Sequence, residues 1–216
     1  MTATTTAALA AVLLAGGSLP AHADEPWPSA PGFEVGFRTG ASFPVGDTSS
    51  GVTLSGDRGV QFPLWLDLGY RIGNLVVGAY GQWAPGFPGS DLDCTNASCF
   101  VYAWKAGFEL QIHPAGRNRA VDPWLSFGFG FEWNTWKVRD RAGDGQETLQ
   151  GWDFARYGLG VDFALNPGLR IGPFVHGTVS QFGQYNLSWW QPNTQWFSKK
   201  SVHSWITVGV KLTGLL

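Results

Sequence analysis

From Phe33 to the last residues, apolar and polar side chains alternate with a period of two, the pattern of strands that keep one face in an apolar medium. Eight segments carry it. Phe33–Phe43 sets Phe33, Val35, Phe37 and Phe43 against Glu34, Gly36 and Arg38. Val60–Ile72 sets Leu64, Leu66, Leu68 and Tyr70 against Trp65, Asp67 and Arg71. Leu75–Trp83 sets Val77 and Ala79 against Gly78, Tyr80 and Gln82. Phe100–His113 sets Trp104, Ala106, Phe108 and Leu110 against Lys105, Gly107, Glu109 and His113.

The other four are as regular. Trp124–Trp136 opposes Phe127, Phe129, Phe131 and Trp133 to Ser126, Gly128, Gly130 and Glu132. Phe154–Leu165 opposes Tyr157, Leu159, Val161 and Phe163 to Arg156, Gly158, Gly160 and Asp162. Leu169–Ser180 opposes Ile171, Val175 and Val179 to Arg170, Gly172, His176, Thr178 and Ser180. Trp205–Leu216 opposes Ile206, Val208, Val210 and Leu212 to Thr207, Gly209 and Lys211.

The connections alternate as well. Gly73-Asn74 and Asn166-Pro167-Gly168 are tight turns, and Pro114–Pro123 is intermediate. The links Pro44–Gly59, Ala84–Cys99, Lys137–Asp153 and Gln181–Ser204 are long. Strands of even number with long and short connections in alternation predict an up-and-down antiparallel barrel that crosses an outer membrane, short turns in the periplasm and long loops outside. Both termini then fall on the periplasmic side. A soluble lipocalin-like barrel has the same period, with its apolar face inward and its polar face in water. Here the water face would be glycine and a few charges. The apolar face carries Phe127, Phe129, Phe131 and Trp133 on one strand, too many rings for a small cup. The expected fold is therefore an all-β, eight-stranded transmembrane β-barrel.

Composition sharpens this. Of 216 residues, 30 are Gly and 12 are Trp, and only 14 % are charged, against roughly 25 % in an ordinary soluble domain. No apolar run reaches the roughly 20 residues of a membrane-spanning helix. The formal charge of −2 provides no basic field, so nucleic acid is not an expected partner. Met1–Ala23 has no charged or aromatic residue, an apolar run at Ala7–Gly16 and Ala21-His22-Ala23 before Asp24. It reads as a secretory signal peptide, although its first residues carry no Lys or Arg. Residues 24–31 then form a Pro-containing periplasmic leader, and residues 32–216 the barrel.

With these features the chain resembles the small eight-stranded outer-membrane β-barrels, the OmpA/OmpX-type and OmpW-like group. Its last strand is similar to the signal by which the barrel assembly machinery recognises such proteins, but it ends in Leu215-Leu216 where an aromatic residue is usual. The resemblance implies a monomer in contact with outer-membrane lipid and lipopolysaccharide. It is architectural and transfers no catalytic residue.

The inward faces collect Glu34, Asp67, Glu109, Glu132 and Asp162 with Arg38, Arg71, Lys105, Arg156, Arg170 and Lys211, and also His113 and His176. An eight-stranded lumen is just wide enough to be filled by side chains, and charges packed there must pair. An internal salt-bridge network that closes the lumen is expected; the alternative is a narrow channel for small or apolar solutes. A third reading is an outer-membrane lipid hydrolase, because His176, Thr178 and Ser180 share a face. The position that a His-x-Ser pair would need is Thr178, on the lumen side, so no catalytic residue is assigned. Cys94 and Cys99 are expected to form a disulfide in an exported protein. Asp91, Asp93 and Asn96 beside them make a poor cation site, and no metal or cofactor is expected. Tyr185, Trp189, Trp190, Trp196 and Phe197 in the last long link form a candidate surface-binding loop.

Overall fold

The computed structural model describes residues 31–49, 51–92, 94–95, 97–115, 119–140, 143–188, 192–197 and 200–216. Met1–Ala23, read above as a signal peptide, and residues 24–30 of the leader lie outside the described residues. Eight long strands form the wall: β1 (Gly32–Ser49), β2 (Leu64–Ile72), β3 (Leu75–Pro88), β4 (Ser98–Ile112), β5 (Val121–Asp140), β6 (Gly143–Asn166), β7 (Leu169–Ser188) and β8 (Val202–Leu215). Each pairs antiparallel with its sequence neighbours, and β1 pairs with β8 from Glu34↔Leu215 to Gly46↔His203, which closes the ring. The protein is an eight-stranded antiparallel up-and-down barrel, with no unpaired edge between β1 and β8 over that register.

The two ends differ. At one end β2 and β3 meet at a tight turn in which Gly73 has φ +58°, a left-handed conformation that glycine adopts without strain. Asn166 makes the other tight turn by accepting a hydrogen bond from Gly168 N at 2.9 Å through its side chain. We call this the turn end. At the opposite, hairpin end, β5 and β6 run on together to Asp140↔Gly143. The Lys137–Asp153 link, expected as a long loop, is therefore mostly paired strand. The Gln181–Ser204 link is likewise partly paired: β7 continues to Ser188, and Pro192–Trp196 folds back onto it, Trp196 opposite Gln184. β2 is shorter than the expected segment. The chain leaves it at Phe62-Pro63, and Arg58–Gln61 forms a separate short strand on β3. Proline lacks the N–H that the ladder needs there, and Phe62 N bonds to Pro85 O at 2.7 Å instead.

The outward face is the apolar one. Leu68, Phe108, Phe129, Leu159 and Val208 are all exposed, Phe129 to 53 % and Leu159 to 58 %. Such a belt around the whole ring is incompatible with water and fits a bilayer. Among the described residues no helix is long and apolar enough to cross a membrane. Phe33 and Tyr70 lie on the outside near the turn end, and Phe43, Phe62, Trp104 and Trp133 lie on the outside further toward the hairpin end, as an interfacial girdle requires. Trp124, although a ring near a strand end, is not part of that girdle. It is 1 % exposed and points into the lumen, where its indole N–H donates to Asp162 Oδ1 at 2.9 Å.

Candidate functional site

The inward face of the barrel is the candidate site, because the alternation that exposes the rings buries the charges between them. Glu34, Arg38, Arg71, Lys105, Glu109, Glu132, Arg156, Asp162, Arg170, His176 and Lys211 are all buried, and the Asp67 side chain is 13 % exposed. Glycine makes the room. A Cβ on Gly130 would stand 2.0 Å from Tyr80 Oη, so the tyrosine crosses the lumen only because its neighbour has no side chain.

The charges stack in layers along the axis. Toward the turn end, Asp122 Oδ2 takes His113 Nδ1 at 3.0 Å and Arg170 Nη1 at 3.1 Å. Lys211 Nζ donates to Gln111 Oε1 at 2.7 Å and lies 3.6 Å from Asp162 Oδ2 and 4.4 Å from the Trp124 ring centroid. At mid-barrel, Arg38 bridges Asp67 (Nε to Oδ2, 2.7 Å) and Glu109 (Nη2 to Oε1, 2.5 Å), with its guanidinium 4.4 Å from the Trp65 centroid. Arg156 stands over Tyr80 at 3.9 Å and pairs with Asp153 at 2.8 Å. Above it, Glu132 holds Lys105 and His203, both at 2.5 Å. At the hairpin end Arg58 reaches Glu147 and Asn134, each at 3.1 Å.

Over these layers sits an apolar cap. Val52-Thr53 leads into a helical turn, Leu54–Asp57, which Thr53 starts by accepting a hydrogen bond from Gly56 N. Leu54 is fully buried against Leu149, Phe182 and Trp205. Backbone bonds from Gly89, Ser90 and Asp91 to Asp57, Ser55 and Gly56 tie the turn to the link between β3 and β4. A disulfide joins Cys94 in that link to Cys99 at the start of β4. Closing so short a loop stabilises locally, by about 2 kcal/mol on the chain-entropy scale. Reduction is expected to expose residues 89–98 to protease while the barrel keeps its heat-modifiable migration on gels. Loss of that migration on reduction alone would contradict it.

Several inward groups escape the period of two. Asp153 and Arg156 both point inward although three residues apart, because a bulge between Asp153 and Ala155 shifts the register. Arg58 and His203 fall within expected loops, and Asp122 within a link. The candidate binding loop divides. Tyr185 and Phe197 pack on the apolar cap, ring centroids 5.1 Å apart, whereas Trp196 is 68 % exposed. Trp189 and Trp190, like Asp93 and Asn96, lie outside the described residues. Among the described residues no group of three metal-ligating side chains occurs.

The residues considered for hydrolysis do not form a catalytic pair. His176 is stacked edge-on to Trp65 at 4.8 Å. Ser180 donates to Asp153 Oδ1 at 2.5 Å, and Thr178 Oγ1 accepts from Trp205 N at 3.0 Å. The hydroxyls and the imidazole thus serve different partners, without the nucleophile–base contact such chemistry needs.

No family model matches the sequence, and no curated protein matches it significantly. Solved structures do match in shape. A major outer membrane protein from Thermus thermophilus is 12 % identical, with a TM-score of 0.57 over 87 % of this chain and 100 % of that one. OprG from Pseudomonas aeruginosa is 14 % identical, with a TM-score of 0.48 over 88 % and 99 %. Neisserial surface protein A is 17 % identical, with a TM-score of 0.45 over 84 % and 97 %. Ring closure, strand number and apolar exterior agree with this likeness, and the chain has the fold of the small β-barrel proteins of bacterial outer membranes.

Proposed function

We propose that this chain is an integral outer-membrane protein without enzymatic activity, with a structural or surface-interaction role and a lumen plugged by its own ion pairs. The observation that carries the reading is the set of charges crossing the barrel interior. Arg38 joins β1 to β2 and β4, Glu132 joins β5 to β4 and β8, and Asp122 joins β5 to β7. Each is buried beneath the Leu54 cap or above the turns. Rings fill the space between: Trp65, Tyr80, Trp124 and Phe174 form one buried cluster. The gap toward the turn end, beside Glu34, Asp67 and Lys211, offers water about 20 Å³, room for roughly one molecule and no more.

In this reading the turn end and both termini face the periplasm and the hairpin end faces outward. Residues 1–23 are the export signal and 24–31 a periplasmic leader. The exposed belt meets lipid and lipopolysaccharide, the barrel assembly machinery inserts the chain, and the protein is a monomer. Single-channel recording in planar bilayers is the decisive measurement. No steady conductance is expected from the refolded wild-type protein. Steady channels of uniform size would overturn the plug and promote the narrow-transporter reading.

A further inference from the structure

At the hairpin end, beside the Leu54 cap, lies a pocket of about 240 Å³ lined by Thr48, Val52, Asp57, Glu147, Tyr185 and Phe197, with Leu149 and Ser49 completing the wall. We infer that it binds a single cationic group carried on an aliphatic stem, such as a lysine side chain of a peptide. The inference deepens the surface-interaction reading above, and rests on it for the side from which the ligand arrives.

Charge is the first ground. Two carboxylates line the pocket, those of Asp57 and Glu147. Beneath them Arg58, fully buried, takes Glu147 Oε1 at 3.1 Å with one guanidinium nitrogen and Asn134 with another. Its third contact is the backbone carbonyl of Asp57, so the Asp57 carboxylate has no cation among the described residues. The lining with its floor therefore carries one negative charge in excess. Lys200, whose backbone bridges to Ser49, is exposed at the rim and is not part of the lining.

Shape is the second ground. Tyr185 and Phe197 stand 5.1 Å apart with planes at 48°, and Leu149 is buried behind them. The tyrosine hydroxyl is engaged with Gln195, which holds that ring, and Phe197 N donates to Gly183 O at 3.2 Å, which fixes the backbone that carries the second ring. One side of the pocket is aromatic and aliphatic, the other is acidic. An ammonium between carboxylates and ring faces gains from both, while methylenes cover the rings. A volume of about 240 Å³ has room for a lysine side chain. Among the described residues the lining offers an anion no cluster of donors.

The test uses the full mature chain in zwitterionic lipid nanodiscs, observed by NMR at the aromatic resonances of Tyr185 and Phe197. The probe is the N-acetyl methylamide of lysine, and its control is the same derivative of norleucine, which keeps the stem and lacks the charge. Saturable shifts from the lysine probe are expected, at least fivefold tighter than any from norleucine. Asp57→Asn is expected to weaken the lysine probe at least fivefold. Phe197→Ala is expected to weaken it as well, with the barrel still heat-modifiable. Equal binding of both probes, no saturation by the lysine probe, or an Asp57→Asn variant that binds like wild type would each overturn the site. Binding in nanodiscs does not depend on which way the barrel faces in cells or on whether it conducts. A conducting wild type therefore removes the plug without touching the pocket, and a failed titration removes the pocket without touching the plug.

Discussion

Replacing Arg38 by Met is expected to cost the barrel about 3–5 kcal/mol, the usual penalty for removing one partner of a buried ion pair. The guanidinium is fully buried and is held from three sides, by Asp67 at 2.7 Å, Glu109 at 2.5 Å and the Trp65 ring at 4.4 Å. Without it two carboxylates face each other across a narrow space with little water to solvate them. The loss arises from the stranded anions rather than from a missing attraction. A triple variant that also carries Asp67→Asn and Glu109→Gln is accordingly expected to recover part of it. Glu132→Ala belongs to the same class, because it strands Lys105 and His203 together. Arg139→Ala is the control. Its pair with Asp144 is largely exposed, and no measurable change is expected. Urea unfolding in lipid vesicles, followed by tryptophan fluorescence and by gel migration without boiling, reads all of these. An Arg38→Met variant within about 1 kcal/mol of wild type would mean that the network does not hold the wall together, contrary to the penalty expected for a broken buried pair.

The charges of this network are legible in the sequence because a transmembrane barrel strand has two environments and no third. The inward residues that lie within the eight alternating segments, Arg38 and Lys211 among them, follow from their parity against outward apolar neighbours, and the turns at Gly73-Asn74 and Asn166-Pro167-Gly168 stand where the alternation stops. Legibility ends where that physics ends. Beyond the belt, neither face of the β5–β6 hairpin meets lipid. Lys137, Arg139, Gln146 and Thr148 carry no hydrophobic contrast, and paired strand there looks like loop. Asp153 is hidden by a bulge, which no period reveals. Trp124 misleads for a different reason. Its parity with Ser126 already places it inside, but its nature as a ring near a strand end suggests the interface. The structure follows the parity, since Asp162 supplies the acceptor that a buried indole needs. Arg58 lies in an expected loop, and only the short strand Arg58–Gln61 carries it over the lumen. The way in which ion pairs are shared, Arg38 between β2 and β4 for instance, depends on register between strands and is not a property of any one segment.

The exterior makes the converse prediction. Phe129→Arg, near the middle of β5 on the lipid side, is expected to destabilise the folded barrel by about 2–4 kcal/mol in a bilayer. Phe129 is 53 % exposed and its ring lies 5.8 Å from that of Phe108 on β4, directly across the ladder. An arginine there has no carboxylate within its face of the sheet: its outward neighbours along β5 are Phe127 and Phe131, and across β4 they are Ala106, Phe108 and Leu110. It must thin the bilayer locally or stretch toward an interface, and the cost depends on depth. Trp196→Arg supplies the comparison at the hairpin end. That ring is 68 % exposed on the short strand that folds back on β7, beyond the belt, and an arginine there meets water. Its stability is expected to stay within about 0.5 kcal/mol of wild type, as for surface changes elsewhere. Unfolding both variants in phosphatidylcholine vesicles separates depth from mere loss of a ring. If Phe129→Arg is no less stable than Trp196→Arg in the bilayer, the apolar face does not meet lipid. The same alternation would then have to be read with the exposed rings covered by something other than a membrane.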